Sequence, residues 1–142
     1  MDNNTHISPL MGQEISCVMR EINPSILTDN QKIKDVIIKS LKKCEFGILN
    51  TIYHEFKPYG MTLMILLSES HLAVHTYPEH NAFYFSLYTC RGPDDAEKTF
   101  AEIRKFLGAK EFSFVKNDVV PLVNKQSLDH SPKVQPLLRV RS

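Results

Sequence analysis

The stretch FGILNTIYHEFKPYGMTLMILLSESHLAVHTYPEHNAFYFSLYTC, residues 46–90, decides the fold. β-Branched and aromatic residues run through it in blocks of strand length, and turn residues interrupt them at Lys57-Pro58-Tyr59-Gly60 and Pro78-Glu79-His80-Asn81. The pattern predicts three or four strands. In the last, Ala82 to Cys90, Phe83, Phe85, Leu87 and Thr89 alternate with Tyr84, Ser86, Tyr88 and Cys90, so one face packs and the other is more polar. Met61 to Leu67, broken by Thr62, is the longest apolar run. It falls far below the ~18 residues of a membrane-spanning helix and reads as a buried strand.

Upstream, Ile33, Val36, Ile37, Leu41 and Cys44 share one helical face behind the capping candidates Thr28, Asp29 and Asn30. Before them, Glu14 to Arg20 reads as a first strand. Downstream, Pro93 sits near a helix start, Asp94 and Asp95 suit the positive end of its dipole, and Ala96, Phe100, Ile103 and Leu107 form a stripe that stops at Gly108. Glu111 to Lys116 supplies a final strand. Strand, helix, strand cluster, helix, strand is the order of an α+β domain, a two-layer sandwich with two helices on one face of a mostly antiparallel sheet. Aromatics on the opposite face predict a second subunit covering it, and a homodimer is the economical expectation.

The 142 residues fit one domain, expected over residues 12–123, with a flexible segment at 1–11 and a C-terminal tail at 124–142. A composition of 42% hydrophobic and 23% charged residues is that of a folded, water-soluble domain. Seventeen basic against 16 acidic residues give a net charge of +1, which argues against nucleic acid and against an anionic membrane as partners. The polar first ten residues lack the layout of a secretory signal, so a cytoplasmic location is expected. Cys17, Cys44 and Cys90 are odd in number and show no CxxC spacing, which points away from disulfides and zinc ribbons and leaves any of the three as a free working thiol.

Between Ser68 and Cys90 the chain collects serines, histidines, glutamates and a cysteine beyond what strand packing requires. His71 and His75, four apart, share a strand face and form the start of a metal site with His80 or Cys90. The ordinary reading of each histidine is a hydrogen-bonded residue at a sheet edge, which is the commoner case, and no metal is expected.

The ordered string Phe56-Lys57-Pro58-Tyr59-Gly60, then Ser68-Glu69-Ser70-His71-Leu72-Ala73-Val74-His75-Thr76-Tyr77-Pro78-Glu79, then Tyr88-Thr89-Cys90, resembles the short, prokaryotic-type S-adenosylmethionine decarboxylase proenzymes. The resemblance runs from about Gly12 to Val123. It implies a chain that cuts itself between Glu69 and Ser70 into a β chain, 1–69, and an α chain, 70–142. In that chemistry the Ser70 hydroxyl attacks the Glu69 carbonyl to give an ester, and a base removes the Ser70 α-proton. Elimination and loss of ammonia then leave a pyruvoyl group, the cofactor that forms a Schiff base with the substrate amine and takes up electrons as carbon dioxide departs.

By the same resemblance His75 is the base in processing and Cys90 the proton donor in decarboxylation, while Thr62 stands where a serine assists processing. Phe56 and Tyr77 are the pair that stacks the adenine ring, and Glu79 accepts hydrogen bonds from the ribose hydroxyls. Taken alone, Cys90 reads as a buried strand residue, Phe56 as core and Glu79 as a solvated turn residue. The substrate implied is S-adenosylmethionine, decarboxylated to the aminopropyl donor for spermidine. Alternatives are a pyruvoyl decarboxylase of a free amino acid such as arginine or ornithine, an uncleaved regulatory homologue, and a zinc module on His71, His75 and Cys90.

The chain departs from the family pattern in three places. Tyr77 stands for a usual Trp, Thr62 for a serine, and Ser86 for an acidic residue, the last accompanied by an Arg91 that intervenes between Cys90 and Gly92. Parity adds a puzzle. Ser70 and His75 are five apart, so strict alternation puts them on opposite faces, and a break in the pleat near a strained Glu69–Ser70 junction is expected.

Overall fold

A computed structural model describes residues 9, 11–92 and 94–120 in full and the backbone of 133–139. The elements are β1 (Gly12–Arg20), α1 (Pro24–Leu27), α2 (Asn30–Lys43), β2 (Ile48–Glu55), β3 (Met61–Leu67), β4 (Ser70–Tyr77), β5 (Ala82–Thr89), α3 (Asp95–Leu107), β6 (Glu111–Val119) and β7 (Lys133–Arg139). One antiparallel sheet carries the strands in the order β2-β3-β4-β5-β1-β6-β7, so the first strand in the chain lies between β5 and β6. The α+β sandwich expected from the pattern is the architecture found, and the segment 46–90 holds four strands.

Each long helix starts and stops for identifiable reasons. Of the capping candidates before α2, Asp29 is the residue used, its carboxylate accepting from the Lys32 N–H at 3.1 Å. Ile33, Ile37 and Leu41 then bury one face of the helix. α3 begins after Asp94 and ends at Gly108, whose φ of 63° is free to a residue without a Cβ and whose N–H returns to the Arg104 carbonyl.

The sheet's helix-side face supplies Ile15, Cys17 and Met19 from β1, Leu63, Ile65 and Leu67 from β3, Leu72 and Val74 from β4, and Phe83, Phe85 and Leu87 from β5, all buried. Phe100 of α3 meets Phe112 and Phe114 edge-on, at centroid separations of 5.5 and 5.3 Å, contacts that contribute about 0.5–1.5 kcal/mol each beyond area burial. Burial pushes the Cys17 thiol up to about 12, with Arg20 and Arg104 opposing the shift only in part. That cysteine is therefore a packing residue, not a working thiol.

Among the described residues the opposite face carries no helix. Across it run three rows, set by the strand register. His54, Thr62, His75, Tyr84 and Val18 form one, and Ile52, Met64, Ala73, Ser86 and Ser16 form the middle one. Leu66, His71, Tyr88 and Glu14 form the third. Ile52, Met64 and Leu66 are more than half exposed here, at 66, 54 and 53%.

The structure adds to the sequence reading at several points. β1 begins at Gly12 instead of Glu14, and β6 runs on to Val119 instead of stopping at Lys116. The one-turn helix α1 was not expected, and the tail assigned no regular structure contributes β7, which pairs with β6. Opposite Ser113 that edge strand holds two residues, Pro136 and Leu137, a bulge that accommodates a residue lacking an N–H. Pro93, expected near a helix start, and the flexible segment expected at 1–11, apart from Pro9 and Met11, lie outside the described residues.

Candidate active site

The expected cleavage junction sits where β3 turns into β4. Leu67 and Ser70 are register partners, so Ser68 and Glu69 alone make the connection, with the Ser68 N–H donating to the Gly47 carbonyl at 2.9 Å. Glu69 is held at φ 62°, in the left-handed region, at a cost of about 1–2 kcal/mol for a residue with a Cβ. The peptide that follows this residue joins it to Ser70, which is only 4% exposed.

Cys90 stands one residue beyond the end of β5 and reaches the same junction. Its Sγ donates to the Glu69 carbonyl oxygen at 3.1 Å, lies 3.9 Å from a Glu69 carboxylate oxygen and is 4.0 Å from the Ser70 Oγ. A weak but oriented donor is thus fixed on the carbonyl next to the serine. A groove of about 600 Å³ beside Glu69 and Ser70 is walled by Glu14, Leu66, His71 and Tyr88, so the junction opens toward the helix-free face.

A second group gathers at the other end of the same strands. Thr62 and His75 are directly opposed in β3 and β4, and Thr62 Oγ1 lies 2.8 Å from His75 Nδ1. With Nδ1 as the donor in this pair, Nε2 keeps its lone pair and is free to act as a base. Tyr84 and Tyr77 flank the imidazole, with ring centroids at 5.7 and 6.5 Å. Thr62 and His75 line a groove of about 1170 Å³ together with Phe56, Tyr77 and Glu79. Phe56 is 50% exposed and Tyr77 39%, which leaves two rings bordering an open cleft.

The residues singled out by sequence therefore form two groups, not one. Glu69, Ser70 and Cys90 meet at the β3–β4 turn, while Thr62, His75, Phe56, Tyr77 and Glu79 meet around the larger groove. The expected break in the pleat is absent: β4 is a continuous strand, with Ser70 buried on one face and His75 on the other. Five residues at ~3.3 Å each separate them by ~16 Å, well beyond hydrogen-bond reach. His71 and His75 are ~13 Å apart by the same arithmetic, too far to share an ion. Instead His71 stacks on Tyr88 at 5.6 Å, and among the described residues no group of three His, Cys, Asp or Glu stands close enough to hold a metal.

Sequence reasoning missed the far wall of the larger groove, where Pro24, Ser25 and Thr28 of the α1 region stand. A signal was present. Asn23 followed by Pro24 is an N-cap with proline at the first helical position, and the Asn23 side chain accepts from the Ser25 N–H at 3.0 Å.

Among the described residues no helix is long and apolar enough to cross a membrane. The model of the S-adenosylmethionine decarboxylase family matches residues 13–118. A proenzyme of that name from Thermotoga maritima is 29% identical over 108 residues, covering 76% of this chain and 83% of the relative. One from Thermodesulfovibrio yellowstonii is 31% identical over 80 residues, covering 56% of this chain and 59% of the relative. The adenosylmethionine decarboxylase structure from Aquifex aeolicus shares the fold with a TM-score of 0.72 at 23% identity, over 84% of this chain and 98% of that one. Both groups of residues fall inside the matched span, and the chain belongs to the S-adenosylmethionine decarboxylase family of enzymes.

Proposed function

We propose that the chain cuts itself between Glu69 and Ser70, that the new terminus becomes a pyruvoyl group, and that the product decarboxylates S-adenosylmethionine to an aminopropyl donor of the kind spermidine synthesis uses. The observation that carries this reading is the state of the Glu69–Ser70 junction: a left-handed Glu69, a buried serine, and the Cys90 thiol donating to the Glu69 carbonyl. The relatives' description as proenzymes is in keeping with it.

In the first step Ser70 Oγ attacks the carbonyl carbon of Glu69, which already lies in the preceding peptide unit, so no distant group needs to be brought in. The C–N bond breaks, an ester forms, and the Ser70 amine takes the proton that the hydroxyl loses. The Cys90 thiol is placed where negative charge develops on the carbonyl oxygen. A base then removes the Ser70 α-proton, the ester bond breaks to leave Glu69 as a free carboxylate, and water releases ammonia from the new terminus. These residues fit the group they are proposed to generate, because the serine is buried, follows directly on the two-residue turn and has the Cys90 sulfur 4.0 Å from its hydroxyl oxygen. When formed, the pyruvoyl group supplies an electron sink for the loss of carbon dioxide. Cys90 then delivers the proton that replaces it, and Phe56, Tyr77 and Glu79 hold the adenosine.

The ~16 Å between Ser70 and His75 is bridged by a second copy of the chain. Two sheets packed on their helix-free faces stand ~10 Å apart. A two-fold axis running across the strands at the row of Ala73, Ser86 and Ser16 would set the Ser70 end of each copy against the Thr62–His75 end of the other. Each site then takes Glu69, Ser70 and Cys90 from one copy, and Thr62, His75 and the larger groove from its partner. The same packing covers the exposed Ile52, Met64 and Leu66.

Release of carbon dioxide from carboxyl-labelled substrates tests the reading. Turnover is expected on S-adenosylmethionine and not on arginine or ornithine; turnover on a free amino acid alone would reassign the larger groove. Removing either ring, by Phe56→Ala or Tyr77→Ala, is expected to raise KM for S-adenosylmethionine about 5- to 150-fold, the worth of one stacked base. Tyr77→Trp, with the larger ring, should lower it.

A further inference from the structure

Cys90 lies outside regular structure, yet its sulfur must hold a 3.1 Å contact to the Glu69 carbonyl. The two residues beside it are both tied to one oxygen of Asp95, in the first turn of α3. The Thr89 hydroxyl donates to Asp95 Oδ2 at 3.2 Å, and Arg91 Nε donates to the same oxygen at 2.7 Å. Thr89 is fully buried, and the Arg91 and Asp95 side chains are 30 and 17% exposed. The rest of the Arg91 guanidinium points the other way. Its Nη1 donates to the Glu45 carbonyl and its Nη2 to the Cys44 carbonyl, while its carbon lies 3.8 Å from the centroid of the Phe46 ring.

Cys44 caps the C-terminus of α2, so one guanidinium joins the negative end of α2, through its last carbonyls, to a carboxylate at the positive end of α3. Arg91 meets the carboxylate and the two carbonyls with three different nitrogens of a planar fork, whereas the three donors of a lysine radiate from one nitrogen and cannot span partners set this far apart. The loop that carries the thiol is therefore tied to Asp95 on both sides of Cys90, and through Arg91 to carbonyls 46 and 47 residues away in sequence.

We propose that Arg91 and Asp95 are positioning residues that hold Cys90 on the Glu69 carbonyl, and that this clamp sets the rate of self-cleavage. The proposal rests on the self-cleavage reading above. It is tested by following the intact mass of newly made protein over time in wild type, Arg91→Ala, Arg91→Lys, Asp95→Asn, Cys90→Ala and the double variant Arg91→Ala with Cys90→Ala. Arg91→Ala is expected to slow cleavage about 10-fold when Cys90 is present and less than about 2-fold when it is absent, because the two residues act as one unit. Arg91→Lys should be nearly as slow as Arg91→Ala, and Asp95→Asn should also be slowed.

A second readout needs no cleavage at all. In the Ser70→Ala background, alkylation of Cys90 by iodoacetamide should speed up several-fold on Arg91→Ala while the buried Cys17 stays protected. Equal slowing with and without Cys90, or an unchanged alkylation rate, would overturn the clamp. A wild-type chain that never cuts itself removes the underlying reading and the clamp together, and that outcome is distinct from a wild type that cuts and an Arg91→Ala variant that keeps pace.

Discussion

Chains carrying Ser70→Ala or His75→Ala alone are expected to remain uncut, and equal co-expression of the two is expected to restore cleavage in about half of the His75→Ala chains. The restoration follows from the separation of the two groups along β4. A mixed dimer contains one junction in which both the serine and the opposing histidine are replaced, and one in which both are intact. The intact junction belongs to the His75→Ala chain, and random pairing puts about half of those chains in mixed dimers. The Ser70→Ala chain should never be cut in any mixture. Both chains are read by intact mass after expression from one cell, with a different tag on each. No recovery in the mixture would mean that each chain completes its own site, and the face-to-face arrangement would fail with it.

Cys90→Ala is expected to reduce decarboxylation by about 10²- to 10⁴-fold, the usual worth of a positioned general acid. Self-cleavage should also slow, by about 10- to 100-fold, because the same sulfur is the donor on the Glu69 carbonyl at 3.1 Å and a thiol is a weaker donor than those of most oxyanion sites. Cys90→Ser separates the two roles. An alcohol donates well to a carbonyl but is a far weaker acid than a thiol, so this variant should cut itself within a few-fold of the wild-type rate and still turn over poorly. Equal recovery of both activities in Cys90→Ser would show that proton delivery comes from elsewhere.

Much of this was legible in the sequence, and the parts that were not have physical causes. The blocks and turn signals of 46–90 read as three or four strands, of which the structure holds four, and the 3.6-residue stripes before Cys44 and Gly108 placed the two long helices, because burial of one face imposes such periods. α1 spans four residues, too short to show a period, and β7 contains Pro136, which reads against a strand until the bulge opposite Ser113 accounts for it.

The parity of Ser70 and His75 was also read correctly, while the bend inferred from it was not. That inference assumed that one chain must bring both residues together, whereas an unbroken β4 meets the same requirement in the face-to-face pair proposed above. Arg91 stood out in the sequence only as an interruption after Cys90. Its partners at Cys44 and Glu45 are brought close by the packing of α2 beside α3, which no local pattern reveals.

The most direct test of the account is the intact mass of freshly purified wild-type protein beside Ser70→Ala. The expected result is two wild-type chains, residues 1–69 and 70–142, the second without a free amino terminus, and a single uncut Ser70→Ala chain of 16.3 kDa. A wild type that stays whole at 16.3 kDa after prolonged incubation, with its native fold shown by a cooperative melting transition, would contradict it.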